Sequence, residues 1–268
     1  MQHVKRSIAL ALLVLTSACA DTASVVAPDA RTPDGPSLIS AGRPTGSAYG
    51  GVGVLLIDEG ANLTIDGLCT GSLISPTVFL TAGHCTGGPG TDYYISFAPD
   101  VIPLPPLSQF IKSSTAFRAP NADVGVIILP AGSTTGVPVY ELPSLGYIET
   151  VKDRGTLARV TATVVGYGIG SLGRGPATSG FDGIRRAADT RVLSIQGPYL
   201  FIADSHGQSG QGGTCSGDSG GPVFLSQDPP IIVAITTTGF PEGCHAIGVY
   251  TRLDTQAALS FLGQYVTL

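Results

Sequence analysis

The chain has 268 residues and a formal net charge of −5, and it is 43% hydrophobic against only 12% charged. That balance supports a sizeable core, argues against disorder, and leaves no basic footprint for nucleic acid. Its 37 glycines and 20 prolines are spread without a period. They read as turns between short strands, and not as collagen or low complexity.

In chain order, Lys5 and Arg6 precede an apolar run over 8–15 and then small residues around Ala18. This is the pattern of a secretory signal over 1–20, too short for a usual membrane span. Two cleavage patterns overlap there. Ala18-Cys19-Ala20 fits the small-x-small rule of ordinary signal peptidase. Thr16-Ser17-Ala18-Cys19 resembles a loose bacterial lipobox, in which Cys19 would carry a lipid. Export therefore ends either in secretion or in a lipoprotein anchored in the cell envelope at Cys19. Residues 21–38 are rich in Ala, Asp, Pro, Ser and Thr and have no period, so a disordered linker or propeptide is expected.

From residue 39 onward, short apolar runs alternate with turn signals. Examples lie at 52–57, 78–81, 124–129, 160–165, 191–195, 222–225 and 231–236. They are rich in Val, Ile and Thr and often bounded by Gly, Pro, Asn or Asp, which predicts strands of an all-β body. No helix is expected before residue 253. The stretch 254–262 predicts one amphipathic helix, with Asp254 as its cap. The length fits two small barrels at least as well as one large one.

Of the five cysteines, Cys19 falls in the signal region, leaving Cys69, Cys85, Cys215 and Cys244. An even set in an exported chain suggests disulfides, and four cysteines allow three pairings. No C-x-x-C spacing supports zinc, and no metal or cofactor is expected.

Two motifs carry chemistry. Cys215-Ser216-Gly217-Asp218-Ser219-Gly220-Gly221-Pro222 places a serine in a glycine-rich turn. A serine hydroxyl is a poor nucleophile until a base takes its proton, and the backbone N–H groups of such a turn can face a developing oxyanion. Leu80-Thr81-Ala82-Gly83-His84-Cys85 offers that base at the end of an apolar run. A lone histidine is more often a packed or surface residue, and His3, His206 and His245 lack this context. The imidazole then needs a buried carboxylate to orient it. Asp123 leads directly into the apolar run Val124-Gly125-Val126-Ile127-Ile128-Leu129, a costly place for an unpaired charge. The competitors Asp92 and Asp100 lie in loop-like sequence. Gly217-Asp218-Ser219-Gly220-Gly221 also satisfies the G-x-S-x-G pattern of α/β-hydrolases. Those run Ser, acid, His, whereas this chain runs His84, Asp123, Ser219.

With Cys69-Thr70-Gly71-Ser72-Leu73-Ile74-Ser75 and Gly248-Val249-Tyr250-Thr251-Arg252 added to these motifs, the chain resembles the chymotrypsin/trypsin family of serine proteases, in particular its bacterial secreted trypsin-like branch. The resemblance covers about residues 39–268. It implies two six-stranded Greek-key β-barrels with a C-terminal helix, the first over 39–141 and the second over 142–268. It also implies a catalytic triad of His84, Asp123 and Ser219, and an oxyanion hole from the N–H groups of Gly217 and Ser219. Cys69 would pair with Cys85 and Cys215 with Cys244. Thr237, Thr238 and Gly239 match the segment that pairs with substrate backbone.

The same resemblance places Gly213 at the base of the specificity pocket, six residues before Ser219, with Thr214, Gly239 and Gly248 around it. A trypsin-like aspartate is missing there, so cleavage after an apolar or small residue is expected. Glu242, in the nearby loop, reads as a solvated charge. Ile39, freed by cleavage after Leu38, would pair with Asp218 on activation, although Ile39-Ser40-Ala41-Gly42 departs from the family's usual start. The expected partner is a protein or peptide substrate, with the chain acting as a monomer. A non-catalytic binding protein and an esterase of the same fold are the alternatives.

Overall fold

The computed structural model describes residues 42–153, 157, 160–168, 181–203, 213–225, 231–240 and 247–268. The expectations for Cys19, the 21–38 linker, Leu38, Ile39, His206, Glu242, Cys244 and His245 lie outside them.

Two seven-stranded antiparallel sheets make up the body. The first contains β2 (Val52–Asp58), β3 (Gly67–Ser75), β4 (Val78–Thr81), β5 (Asp92–Ser96), β6 (Ile111–Ser113), β7 (Ala116–Arg118) and β8 (Gly125–Ile128). The second contains β1 (Arg43–Pro44), β9 (Thr161–Gly166), β10 (Arg186–Gln196), β11 (Tyr199–Ala203), β12 (Pro222–Leu225), β13 (Ile232–Phe240) and β14 (Ile247–Arg252). Strand order in the first is β6-β5-β2-β3-β4-β8-β7. Its two end strands are separated in sequence only by Ser114 and Thr115, so one bent segment forms both edges and curls the sheet round. In the second, β10 pairs with both β11 and β9, which closes a ring of six strands and leaves β1 as an added edge on β10. The expected all-β, two-barrel architecture is thus present.

Burial follows the two-residue period of strands. Leu55 and Ile57 of β2 point into the first barrel with Leu73, Phe79, Tyr93, Ile95 and Ile127. Val52, Val54 and Leu56, on the opposite face, join Val165, Tyr167, Phe224 and Ile235 from the second sheet. β2 is therefore buried on both faces, and its seven residues read as a near-continuous apolar run. The second barrel is filled by Val164, Ala188, Leu200, Ile202, Val223, Val233 and Tyr250.

Two buried arginines bind separate segments. Arg252 meets Asp254 at 2.9 Å and also Glu149, while Asp254 accepts the backbone N–H of Ile148 at 2.8 Å. Arg185, 1% exposed, donates among the described residues to neutral oxygens: Thr45 Oγ1 (2.9 Å), the carbonyls of Val52, Phe97, Gly46 and Ala48 (2.8–3.1 Å), and the Tyr167 hydroxyl (3.3 Å).

Three sequence expectations need correction. A helix does precede residue 253: α1 (Tyr147–Asp153). It has only seven residues and is held by Asp254 and Arg252, tertiary partners that leave no local periodicity. The C-terminal helix α2 (Gln256–Leu262) is capped by Thr255, whose Oγ1 accepts from Ala258 N, because Asp254 is engaged by Arg252 and α1. Asp92 is no loop residue; it opens β5, is buried, and binds Lys112 at 2.6 Å and Ser114.

Candidate active site

The histidine half of the site is built on the first sheet. β4 ends at Thr81, and a short 3-10 turn, Gly83–Cys85, carries His84. Cys85 is disulfide-bonded to Cys69 on β3, which ties this turn to the neighbouring strand. Asp123 sits in the β7–β8 hairpin, where Ala119 N donates to Val124 O at 2.8 Å. Its carboxylate takes two hydrogen bonds from one residue. His84 Nδ1 lies 2.9 Å from Asp123 Oδ2, and the His84 backbone N–H donates to Oδ1 at 2.8 Å. Ring and main chain are therefore both oriented by one carboxylate, which leaves Nε2 as the available ring nitrogen.

Burial pushes the Asp123 carboxyl up. The hydrogen bonds and charge of His84, with a further hydrogen bond from the Thr237 side chain, outweigh it and hold the group below its ordinary value. The His84 side chain stays 47% exposed against 21% for Asp123, so the ring presents an open edge while its partner is largely covered.

The serine half comes from the second sheet's side of the molecule. Residues 213–221 lead into β12 and place Ser219 in a turn. Gly217 and Gly220 have φ of +91° and +81°. A Cβ on Gly220 would overlap Thr81 Oγ1 and lie 2.5 Å from the Thr70 carbonyl oxygen and 2.6 Å from Ala82 N. Only glycine satisfies both the backbone angle and the close approach. That approach brings the serine turn against the strand end that carries His84, and Cys85 Sγ lies 3.8 Å from the Ser219 carbonyl oxygen. Asp218 is fully buried, and its carboxylate accepts from Gly168 N at 2.7 Å and Cys215 N at 2.8 Å.

Sequence reading missed Thr70. It is fully buried on β3 and bridges the two halves. Its N–H donates to Ser219 O at 2.9 Å, and its hydroxyl donates to Gly217 O at 2.9 Å while accepting from Tyr167 N at 3.1 Å. Both carbonyls flanking the Asp218–Ser219 peptide are thus held by one residue. A signal existed, since Thr70 adjoins Cys69, but a threonine in a strand reads as ordinary β composition.

The expected pocket residues come partly together. Gly239 and Gly248 are register partners across β13 and β14, and Thr214 Oγ1 lies 2.9 Å from the hydroxyl of buried Tyr250. Thr237 Oγ1 is 2.7 Å from Thr251 Oγ1, and Thr238 pairs with Val249. Gly213, next to Thr214 in sequence, is buried. Cys215 is disulfide-bonded.

A histidine bound to a carboxylate beside a serine in a glycine turn is the arrangement of a nucleophilic hydrolase on a two-barrel fold. Comparison with known proteins agrees. Residues 58–259 match the family model described as Trypsin, so the chain belongs to the trypsin family and is a trypsin-like serine endopeptidase acting on protein or peptide. It is 30% identical to a brachyurin of Leptuca pugilator over 204 residues, 69% of this chain and 83% of that one. It is 30% identical to a trypsin of Saccharopolyspora erythraea over 214 residues, covering 72% and 86%. Against a trypsin-like protease of Streptomyces glaucescens it is 29% identical over 200 residues, covering 70% and 72%. Among solved structures, human heparin binding protein superposes with a TM-score of 0.61 at 17% identity, over 84% of this chain and 95% of that one, a likeness of fold.

Proposed function

We propose that the chain is an exported serine endopeptidase that cleaves after an apolar or small residue, with Ser219 as nucleophile, His84 as general base and Asp123 as the group orienting it. The observation that carries this reading is the paired hydrogen bonding of His84 by Asp123 beside the Gly217–Gly220 turn. His84 Nε2 takes the Ser219 proton as Oγ attacks the scissile carbonyl. The N–H groups of Gly217 and Ser219 receive the oxyanion. The same proton then passes to the leaving amine, and water hydrolyses the acyl-enzyme by the reverse route. Asp123 does not need to accept the proton; it stabilises the imidazolium formed on the way.

Substrate backbone pairs with Thr237, Thr238 and Gly239, and the preceding side chain enters the space around Gly213, Thr214 and Gly248. Those residues bring no charge, which supports the apolar or small preference. Asp218 acts as the activation switch, meeting Ile39 after cleavage behind Leu38. Export, with release or retention through a lipid on Cys19, rests on the N-terminal pattern, and the mass of the mature N-terminus distinguishes the two.

Labelling with a fluorophosphonate tests the core of this reading. Ser219 is expected to be the labelled residue, and Ser219→Ala is expected to lose at least about 10⁴-fold in kcat/KM. A loss of tenfold or less would remove Ser219 from the role. Parallel peptide and short-ester assays separate a protease from an esterase, since ester turnover with no peptide cleavage excludes the former.

A further inference from the structure

A cavity of about 670 Å³ opens beside the histidine half of the site, lined by His84, Asp123, Arg118, Pro120, Ala122 and Tyr199 among others. Arg118 closes β7 and is in register with Gly125 of β8, so it stands on the same hairpin that delivers Asp123. The facing wall, Tyr199, opens β11 and is in register with Thr251, whose hydroxyl binds Thr237. Thr237 in turn contacts Asp123. The cavity therefore lies alongside the strand edge 237–239, where an extended substrate would pair.

Beyond the His84–Asp123 pair the lining holds one cation, Arg118, the amide of Asn121 and the ring of Tyr199, the rest being small or apolar. Pro120 and Ala122 carry no donors, Tyr199 is 39% exposed, and Arg118 is exposed with no ion pair among the described residues. By contrast Arg43, Lys112, Arg186 and Arg252 each hold a carboxylate. An arginine at the mouth of a substrate cavity with its guanidinium uncommitted is suited to a carboxylate, which it can bind through two parallel N–H groups. The chain as a whole is acidic, at −5, so any preference for an acidic peptide comes from this local cation and not from long-range attraction.

We propose that Arg118 is a specificity-determining residue that selects an acidic side chain on the N-terminal side of the cleaved bond, held in this cavity. The inference rests on the endopeptidase reading above and adds a second selective contact to the apolar or small residue at the cut. The contact is exposed, so its effect on rate is moderate and sensitive to salt.

The test is a set of peptides carrying Glu, Gln or Lys at the second, third or fourth residue before the cleaved bond. Each is assayed with the wild type, Arg118→Gln and Arg118→Glu. At low salt the wild type is expected to favour Glu over Gln by roughly three- to tenfold in kcat/KM at one of these positions, a ratio that falls towards one at about 1 M salt. Arg118→Gln should flatten the ratio, and Arg118→Glu should turn the preference to Lys. Because each enzyme is compared with itself, a general loss of activity does not disturb the reading. Ser219 labelling is measured on the same samples. Labelled enzyme that cleaves peptides with the same Glu to Gln ratio in all three forms overturns the role of Arg118 alone. Absence of both labelling and cleavage overturns the endopeptidase reading, and the assignment of Arg118 with it.

Discussion

The two halves of the candidate active site are held by opposite means. The histidine half is held by atoms that are present: a disulfide from Cys69 to Cys85 and a carboxylate, Asp123, that grips both ring and main chain of His84. The serine half is held largely by atoms that are missing. Gly217 and Gly220 adopt angles that side chains disfavour, and Gly220 sits where any Cβ would strike Thr81 and Thr70. Thr70 joins them, lending its N–H and hydroxyl to the carbonyls on either side of Asp218–Ser219. The contrast implies that the first half fails when something is removed, with the scaffold left standing, and the second when something is added.

The largest effect that would separate the halves is chemical. Asp123→Asn should keep the chain folded but lower kcat by up to about 10⁴-fold, because the amide can hold the ring in the wrong tautomer. Retention of more than a tenth of the activity would break the account of the histidine half. Gly220→Ala is the complementary change. It should cost about 3 kcal/mol or more in urea unfolding, from strain at positive φ and overpacking together, and remove activity with it. A variant of wild-type stability would show that the turn can move away from β4.

Thr70→Val lies between these. It keeps the backbone donor to Ser219 and the shape of the side chain but deletes the hydroxyl that binds Gly217. An expected cost of about 1–3 kcal/mol follows from leaving the Tyr167 N–H and Gly217 carbonyl unmatched. If that hydroxyl also sets the turn for catalysis, kcat should fall about tenfold at a temperature where the variant is fully folded, with Thr70→Ser restoring it. Unchanged kcat would leave Thr70 a purely structural brace.

The smallest effect is in pH. Asp123 is held below its ordinary value of 3.8, so the unfolded chain binds its proton more readily than the folded one. Its contribution to stability is then complete above about pH 4 and is lost as pH falls through the folded value. The stability difference between wild type and Asp123→Asn should therefore shrink from about pH 5 to pH 3 in thermal melts. A constant difference across that range would contradict the pairing.

Legibility in sequence tracked how local each feature is. The strands at 78–81 and 222–225 coincide with β4 and β12 because each is a short apolar run cut off by turn residues. The helix α1 was invisible because seven residues carry too little periodicity and its N-terminal partner, Asp254, lies 106 positions away. The same distance effect misassigned the cap of α2: Asp254 looks like a cap in sequence, yet its oxygens are taken by Arg252 and Ile148. His84, Asp123 and Ser219 could be picked from their motifs. Arg118 and Tyr199 could not, since nothing in their neighbourhoods links residue 118 with residue 199 or either with the cavity beside His84.

By itself, the amino-acid sequence determined the fold class, the chain order of the candidate residues His84, Asp123 and Ser219, and the uncharged residue at position 213, because turn chemistry, two-residue periodicity and short motifs are local properties. Only the tertiary structure decided that β1 joins the second sheet, that the buried Arg185 binds the segment 45–48, and that Thr70 spans the two halves of the site. Each of these pairs groups far apart in the chain. Buried polar groups must find partners wherever packing brings them, and that search is completed only in three dimensions.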